Sequence, residues 1–147
     1  MTFSLRAATS SDSTNIRALI RAVHINPLGI DWRRFIVAIT SQGELIGCGQ
    51  IKPHGDGSRE LASIAVVQAW RRRGVAQTII EYLLAANSGV LYLTCRSRLG
   101  PFYEKFGFSP IPVSEMPLYF RRIKRLVMLL GVNRPSGDKL LVMRRTI

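Results

Sequence analysis

The stretch of the sequence best suited to chemistry is a basic turn that contains glycine and leads into a helix. Strand-forming residues, Glu60–Val67, precede Arg71-Arg72-Arg73-Gly74-Val75-Ala76, where an apolar helical pattern begins. The first backbone N–H groups of a helix have no partner within the helix, and the helix dipole adds positive potential to them. Gly74 and Ala76 leave these amides accessible, and the three arginines add charge. The stretch therefore predicts a phosphate-binding cradle, with a solvated basic turn as the alternative.

Other sequence signatures of phosphate and metal sites are missing. The chain has no G-x-x-x-x-G-K-[ST] run, and Gly47-Cys48-Gly49 lacks the third glycine of a dinucleotide-binding loop and opens no helix. The two cysteines are far apart in apolar stretches, and the chain has only two histidines. Neither a disulfide framework nor a metal cofactor is therefore predicted.

The elements that must position the cradle follow from the apolar periodicity. The 147 residues are 47% hydrophobic and 20% charged, which suffices for one core, and we expect a single domain over residues 1–147. The predicted order of elements is β, α, β, β, β, α, β, α, α, β. An early hairpin followed by β-α-β connections predicts an α/β fold (α+β type) with a mixed central sheet of about six to seven strands, flanked by helices.

Turn residues and apolar patterns give approximate bounds for these elements. The predicted strands cover residues 2–8, 34–39, 44–52, 60–67, 90–95 and 140–143. The predicted helices cover residues 12–23, 74–87, 101–107 and 118–130, and a polar loop follows over residues 132–138. Met1–Thr9 does not look like a secretory signal, and no apolar run approaches the ~18–20 residues that span a bilayer. We therefore expect a soluble, cytoplasmic protein.

The basic turn Arg71-x-x-Gly74-x-Ala76 is followed, after the next strand, by the aromatic run Pro101–Phe108, and both motifs resemble those of the GNAT N-acetyltransferases. Arg71-x-x-Gly74-x-Ala76, after a strand and at a helix start, is similar to the (Gln/Arg)-x-x-Gly-x-(Gly/Ala) pyrophosphate motif of that family. Pro101-Phe102-Tyr103-Glu104-Lys105-Phe106-Gly107-Phe108, after the strand at 90–95, resembles the family's Phe-Tyr-x-x-x-Gly-Phe ending. The resemblance extends from about Thr2 to Phe108. It implies the GNAT fold, in which two parallel strands splay apart in a V.

The resemblance implies that acetyl-CoA is the cosubstrate and assigns residues to it. Backbone amides of the cradle would hold the pyrophosphate of coenzyme A, and the strand before it would pair with the pantetheine arm. Ser97, after the splayed strand, would contact the cofactor, although many relatives carry Asn near that position. The implied cofactor-binding residues are Ile64, Ala65, Val66, Arg71, Arg72, Arg73, Gly74, Val75, Ala76 and Ser97.

The same resemblance implies direct attack of a primary amine, of a small molecule or a protein, on the thioester. An N–H near Ala65–Val66 would stabilise the oxyanion of the tetrahedral intermediate. Tyr103 matches the family tyrosine that protonates the departing thiolate, and a core tyrosine is the alternative. Glu60 is the candidate general base, with a surface pair to Arg59 or another arginine as its alternative. Cys95 is expected to be a buried thiol and not a nucleophile.

The net charge of +12 is concentrated in two segments. Arg71–Arg73 contributes +3, which coenzyme A phosphates explain, and residues 117–147 contribute +7 from eight basic residues and one acid. Three interpretations of this second segment stay open: a solvated helix face, contact with an acidic acceptor or a nucleic-acid-associated target, and a peripheral membrane contact. We expect no nucleic-acid partner, and exposed sheet edges make a homodimer plausible. The alternative function is a noncatalytic basic module of the same fold that binds an acyl-CoA or nucleic acid.

Overall fold

A computed structural model of the chain describes residues 2–130 and 138–146. The expected helix end at Gly131 and nearly all of the expected loop at 132–138 lie outside these residues. The strands are β1 (Phe3–Ala7), β2 (Phe35–Thr40), β3 (Leu45–Pro53), β4 (Arg59–Val66), β5 (Leu91–Arg96), β6 (Ser109–Pro110) and β7 (Leu140–Arg145). The α-helices are α1 (Ser13–Ala22), α2 (Val75–Ala86), α3 (Gly100–Glu104) and α4 (Leu118–Leu129).

The chain divides into two compact units, and each of them is built from two segments. The first unit consists of Met1–Lys52 and Leu61–Asn87, and the second consists of Pro53–Glu60 and Ser88–Ile147. The expectation of one domain over the whole chain stays a prediction.

The first unit contains four strands in the order β1-β2-β3-β4, together with α1 and α2. Both β1 with β2 and β2 with β3 pair antiparallel, which confirms the predicted hairpin. The core side chains here are at most 1% exposed and include Ile16, Ile20, Phe35, Val37 and Cys48. Burying a large apolar side chain contributes about 1.5–3 kcal/mol, so this cluster holds α1 against the strands.

The second unit is organised around β7, which lies between β5 and β6 and pairs antiparallel with both. The start of β4 also belongs to this unit, where Glu60 pairs in parallel register with Tyr92 of β5. Helix α4 is anchored by Phe120, which is fully buried and packs with Ile111 and Val142. The pairings within the described residues make a mixed, seven-stranded sheet, which confirms the predicted fold class.

The predicted bounds agree with the structure to within one or two residues for most elements. Strand β6, Ser109–Pro110, was not predicted because two residues carry no readable alternation; its pairing with β7 defines it. The expected V-shaped splay stays a prediction.

Candidate functional site

The predicted cradle begins helix α2 with a glycine in the left-handed conformation. A short 3-10 turn, Gln68–Trp70, separates β4 from the three arginines. Gly74 is the N-cap residue, with φ +80° and ψ 9°, and Arg72 also has a positive φ, of 64°. Residues of this kind in a turn aim successive backbone N–H groups to one side, which makes concavities that bind anions.

The first turn of α2 supplies further donors to the same place. The first bond along the helix runs from the Thr78 N–H to the Gly74 carbonyl oxygen at 3.0 Å, and the Thr78 hydroxyl donates to that oxygen at 2.7 Å. The N–H groups of Val75, Ala76 and Gln77 therefore lack partners within the helix. A Cβ atom built on Gly74 would meet no atom within 4 Å other than those of its chain neighbours, so the space beside this glycine is open. Free backbone amides at a helix start can bind an anion.

Two glycines of β3 let α2 approach the sheet closely. A Cβ atom on Gly47 would lie 2.8 Å from Val75 Cγ1, and one on Gly49 would lie 2.8 Å from Ile79 Cγ2. Val75 is 1% exposed, so its side chain anchors the helix while its backbone amide belongs to the cradle. Gly47-Cys48-Gly49 is therefore a packing element that fixes the start of α2.

The three arginines are exposed, and their side chains make few contacts with the rest of the protein. The Arg71 Nε donates to the Val66 carbonyl oxygen at 3.4 Å. The Arg73 guanidinium lies 5.3 Å from the centre of the ring of Trp70, which is itself buried. Three cations beside open amides give this end of the first unit a strongly positive potential.

Strand β4 contains one residue of irregular conformation, and beyond it the backbone N–H groups point alternately toward β3 and away from β3. Ser63 has φ 60°, a conformation that L-residues rarely adopt, within the strand. The Ala65 N–H donates to the Cys48 sulfur, and the Val67 N–H donates to the Ile46 carbonyl oxygen at 2.9 Å, so both amides face β3. Strand alternation then directs the amides of Ile64 and Val66 away from β3. Of the expected pair Ala65–Val66, the Val66 N–H is thus better placed to meet a ligand.

A buried glutamine holds the irregular part of β4 to the loop that precedes β2. Gln50 is fully buried, and its Nε2 donates to the Ser63 hydroxyl at 2.9 Å and to the Gly29 carbonyl oxygen at 3.2 Å. Its Oε1 accepts from Arg34 Nε at 3.2 Å. These bonds satisfy a polar side chain that would be costly to bury alone, and they fix the loop at Gly29.

In the second unit, Glu60 is a buried carboxylate beside a histidine. Its Oε1 lies 2.7 Å from His54 Nε2, and the two side chains are 10% and 7% exposed. The Arg59 guanidinium donates to the Ser88 carbonyl oxygen instead. The carboxylate therefore lies in the interior beside a histidine, and both the general-base role of Glu60 and its alternative, a pair with an arginine, stay predictions.

The first turn of helix α4 contributes side chains to the cluster around Glu60 and His54. The Tyr119 ring stacks on the His54 ring with centroids 3.5 Å apart and 17° between planes. The Tyr119 N–H donates to Asp56 Oδ2 at 2.9 Å. Burial, and secondly the charge of Glu60, raise the pKa of Tyr119. Hydrogen bonds from Ser58 and from Tyr119 lower the pKa of Asp56 to about 2, against the opposing effect of its burial.

Tyr103 lies in α3 and is partly buried among aromatic rings. It packs edge-to-face with Phe102 and Phe108, at 5.1 and 6.5 Å between centroids. Burial, and secondly the nearby Cys95 thiol, raise its pKa to about 12. The phenol therefore stays protonated at neutral pH, which is the form that a general acid needs, although it is a weaker acid than an ordinary tyrosine. Burial likewise raises the pKa of Cys95 to about 11, as expected for a structural thiol.

Ser97 links the end of β5 to the start of β7. Its hydroxyl donates to Asp138 Oδ1 at 3.0 Å and accepts from the Lys139 N–H at 3.1 Å. A hydroxyl has one donor and two acceptor sites, so one acceptor site is left. Ser97 can therefore accept from a cofactor N–H but has no proton left to donate to a phosphate.

His54 and Tyr119 are the side chains of this cluster that sequence reasoning missed. Residues 53–59 fall between two predicted strands, and in the structure the His54 N–H donates to the Ser58 carbonyl oxygen, so these two residues pair across the turn. Glu60 lies two residues beyond Ser58, so its contact with His54 is a diagonal one that the hairpin rule does not give. No local pattern joins either of them to Tyr119.

Within residues 2–130 and 138–146, no group of three His, Cys, Asp or Glu side chains is placed to hold a metal ion. None of the helices in that part of the chain is long and apolar enough to cross a membrane.

Comparison with known families identifies the class of protein. Residues 31–110, more than half of the chain, match the model of the acetyltransferase (GNAT) domain. The matched range includes the cradle and the Phe-Tyr-x-x-x-Gly-Phe motif, and the sheet has the mixed topology that the order of elements predicted. The chain therefore belongs to the GNAT acetyltransferase family. No curated protein matches its sequence.

Solved structures share the fold at low sequence identity. N-acetylglutamate synthase from Neisseria gonorrhoeae, complexed with coenzyme A and N-acetyl-glutamate, matches 99% of the chain with a TM-score of 0.76 and 21% identity. The chain spans about a third of that enzyme, 35% of its length. Rv2747 from Mycobacterium tuberculosis, in complex with CoA and NLQ, matches 98% of this chain over 99% of its own, with a TM-score of 0.72 and 19% identity. A GNAT acetyltransferase from Staphylococcus aureus matches 99% of both chains, with a TM-score of 0.69 and 13% identity.

Proposed function

We propose that the protein is an acetyl-CoA-dependent N-acetyltransferase that acetylates a primary amine by direct attack. The observation that carries this proposal is the cradle at the start of α2. There, a left-handed glycine, open space and three exposed arginines surround backbone N–H groups that have no partner within the helix. The coenzyme A bound in two of the similar structures supports the same cosubstrate.

The chain's own groups would hold the cofactor at three places. Backbone amides of Arg71–Ala76 would bind the pyrophosphate, with the arginine side chains neutralising its charge. Outward-facing amides in Ile64–Val66 would pair with the pantetheine arm as a neighbouring strand does. The remaining acceptor site of Ser97 suits an N–H of the same arm.

Two residues of the second unit would move the protons. Glu60 would accept the proton of the attacking ammonium, directly or through a water molecule, because only a neutral amine is nucleophilic. Tyr103 would give its proton to the departing thiolate as the new C–N bond replaces the C–S bond. The Val66 N–H, which faces away from β3, would stabilise the oxyanion.

The exposed face of α4 favours an acidic acceptor. Arg121 Nε donates to the Met116 carbonyl oxygen at 2.8 Å, and the Lys124 ammonium bonds the Leu140 carbonyl oxygen. Arg122 and Arg125, by contrast, make no hydrogen bond or ion pair within the described part of the chain. Arg125 is exposed, as is Arg122, so both charges are free to meet a carboxylate or phosphate on a partner.

Incubation with acetyl-CoA and a panel of amines, followed by mass spectrometry, tests the proposal. The panel includes free amino acids such as glutamate, because one similar structure holds N-acetyl-glutamate, as well as acidic peptides and basic ones. We expect a mass gain of one acetyl group on an acidic member and release of free coenzyme A.

Thermal shift measurements with acetyl-CoA, coenzyme A and short duplex DNA separate this function from the noncatalytic alternative. Stabilisation by both CoA species without transfer to any amine would favour a binding module. Stabilisation by DNA alone would refute the acetyltransferase.

A further inference from the structure

We propose that His54 is a positioning residue for Glu60, holding its carboxylate in the orientation from which it accepts a proton from the acceptor amine. The inference rests on the proposed function, because it assigns Glu60 as the general base. The juxtaposition that carries it is the 2.7 Å contact between His54 Nε2 and Glu60 Oε1 in a site where both side chains are nine-tenths buried.

A buried carboxylate is stabilised by a hydrogen-bond donor that is held in a fixed direction. Charged oxygens lose much of their hydration in an interior, and hydrogen bonds must replace it. The imidazole N–H can supply one such bond to a single oxygen, Oε1, and so restricts rotation of the carboxyl group. A fixed orientation matters for proton transfer, which requires the base to lie within hydrogen-bond reach of the proton that it removes.

The imidazole is itself immobilised on several sides. Its face stacks on Tyr119 at 3.5 Å, and the Phe120 ring meets it edge-to-face at 5.7 Å and 85°. The backbone N–H and carbonyl groups of His54 are held by hydrogen bonds as well. The His54 N–H donates to the Ser58 carbonyl oxygen at 2.9 Å, and the His54 carbonyl oxygen accepts from Gly57 at 3.0 Å. The ring therefore has a defined direction from which to hold Glu60.

The turn that carries His54 is fastened to α4 by a separate contact. Asp56 Oδ1 accepts from the N–H and the hydroxyl of Ser58, at 2.9 and 2.5 Å, while Oδ2 accepts from the Tyr119 N–H. One carboxylate thus closes the turn and bonds a first-turn amide of α4. The first turn of α4, through Tyr119 and Phe120, is what orients His54, and His54 in turn orients Glu60.

Two substitutions separate positioning from a merely structural role. His54→Phe keeps an aromatic ring against Tyr119 but removes the donor to Glu60. His54→Gln removes the ring, but its amide nitrogen takes nearly the place of imidazole Nε2 and keeps a donor. Glu115→Gln is the matched control, because it removes an exposed carboxylate from the same unit, one that pairs with Arg144 at 2.9 Å.

The kinetic test uses the whole chain and the amine identified by the panel. We expect His54→Phe to lower kcat at least tenfold while the KM for acetyl-CoA stays within twofold of wild type. His54→Gln recovers most of that loss, and Glu115→Gln matches wild type. A merely structural role predicts a different order of kcat values. Both His54 variants would then keep the wild-type kcat per folded molecule, and their thermal midpoints would be lower. That order would overturn the inference.

A nuclear magnetic resonance measurement tests the same contact without any turnover. The chain contains only two histidines, so the imidazole nitrogen spectrum of the labelled protein holds two sets of signals, and His54→Phe identifies the set of His54. We expect Glu60→Gln to shift the Nε2 signal of His54 and to leave that of His24 in place. An unshifted His54 signal would overturn the inference even with an active enzyme. Absence of acetyl transfer by wild type would instead overturn the proposed function, and the inference with it.

Discussion

Substitution of Gly74 by aspartate and by asparagine tests whether the cradle binds phosphate. The two side chains have the same size and shape, and both tolerate the left-handed region better than other residues do. A Cβ atom at this position meets nothing within 4 Å, so the first side-chain atom of either variant has room. At φ +80° each substitution costs about 1 kcal/mol of unfolding free energy, and aspartate gains back a little from the helix dipole. Both variants therefore fold.

The two variants differ in charge, and the difference in binding energy follows from Coulomb's law. A carboxylate about 5 Å from each of two phosphate charges repels each by about 0.8 kcal/mol at the dielectric constant of water and by about 3.3 kcal/mol at an effective value of about 20. Repulsion by both phosphate charges therefore weakens the binding of coenzyme A to Gly74→Asp by about 1.7 to 6.6 kcal/mol. The Kd of Gly74→Asp for coenzyme A should exceed that of Gly74→Asn by roughly 15-fold or more.

Isothermal titration calorimetry with coenzyme A at low ionic strength measures this ratio directly. Raising the salt concentration shortens the Debye length to about 8 Å at 0.15 M, so the ratio should shrink as salt is added. Urea unfolding of both variants supplies the control for folding. Equal Kd values for the two variants, at matched unfolding free energies, would refute the assignment of the cradle as the phosphate site.

Three further predictions concern Tyr103, a packing glycine and the thiols. Tyr103→Phe should lower kcat by about 10²–10⁴ with little change in the Kd for acetyl-CoA, and an unchanged kcat would remove Tyr103 from the mechanism. Gly49→Ala should cost about 1–3 kcal/mol in urea unfolding, because its Cβ would lie 2.6 and 2.8 Å from side-chain carbons of β4 and α2, whereas Gly55→Ala, in open space, should cost much less. Burial raises the pKa of Cys48 to about 12 and that of Cys95 to about 11, so at pH 8 both thiols are protonated in the fold. A thiol-reactive chromophore should label them slowly until urea unfolds the chain, and fast labelling of the folded protein would contradict these values.

Sequence patterns predicted the parts of this molecule that depend on neighbours in the chain. The hairpin of β2 and β3, helix α2 and the glycine at its start were all predicted because alternation, helical spacing and turn residues are local signals. The expectation that Cys95 is a buried thiol was confirmed for the same reason, since it lies in an apolar strand.

Long-range contacts and backbone irregularities escaped prediction. Tyr119 meets His54 through tertiary packing, and no periodicity connects residues so far apart in the chain. Ser63 adopts φ 60° within β4. A serine in a strand does not indicate this conformation, whereas a glycine would have indicated a bulge. The interior position of Glu60 likewise depends on the turn and on α4. These features shape the chemistry of the site, so the family motifs alone did not define it.

The central place of β7 has a consequence for synthesis of the chain. Domains generally fold as units while the polypeptide leaves the ribosome, but the second unit needs residues 140–145 to join β5 to β6. Until those residues emerge, β5 presents a row of unpaired backbone groups to solvent, the kind of edge on which chains aggregate. The first unit has all of its segments once Asn87 is made. Nascent chains of this protein should therefore pass through a stage in which every segment of the first unit has been made while β5 still lacks its pairing with β7.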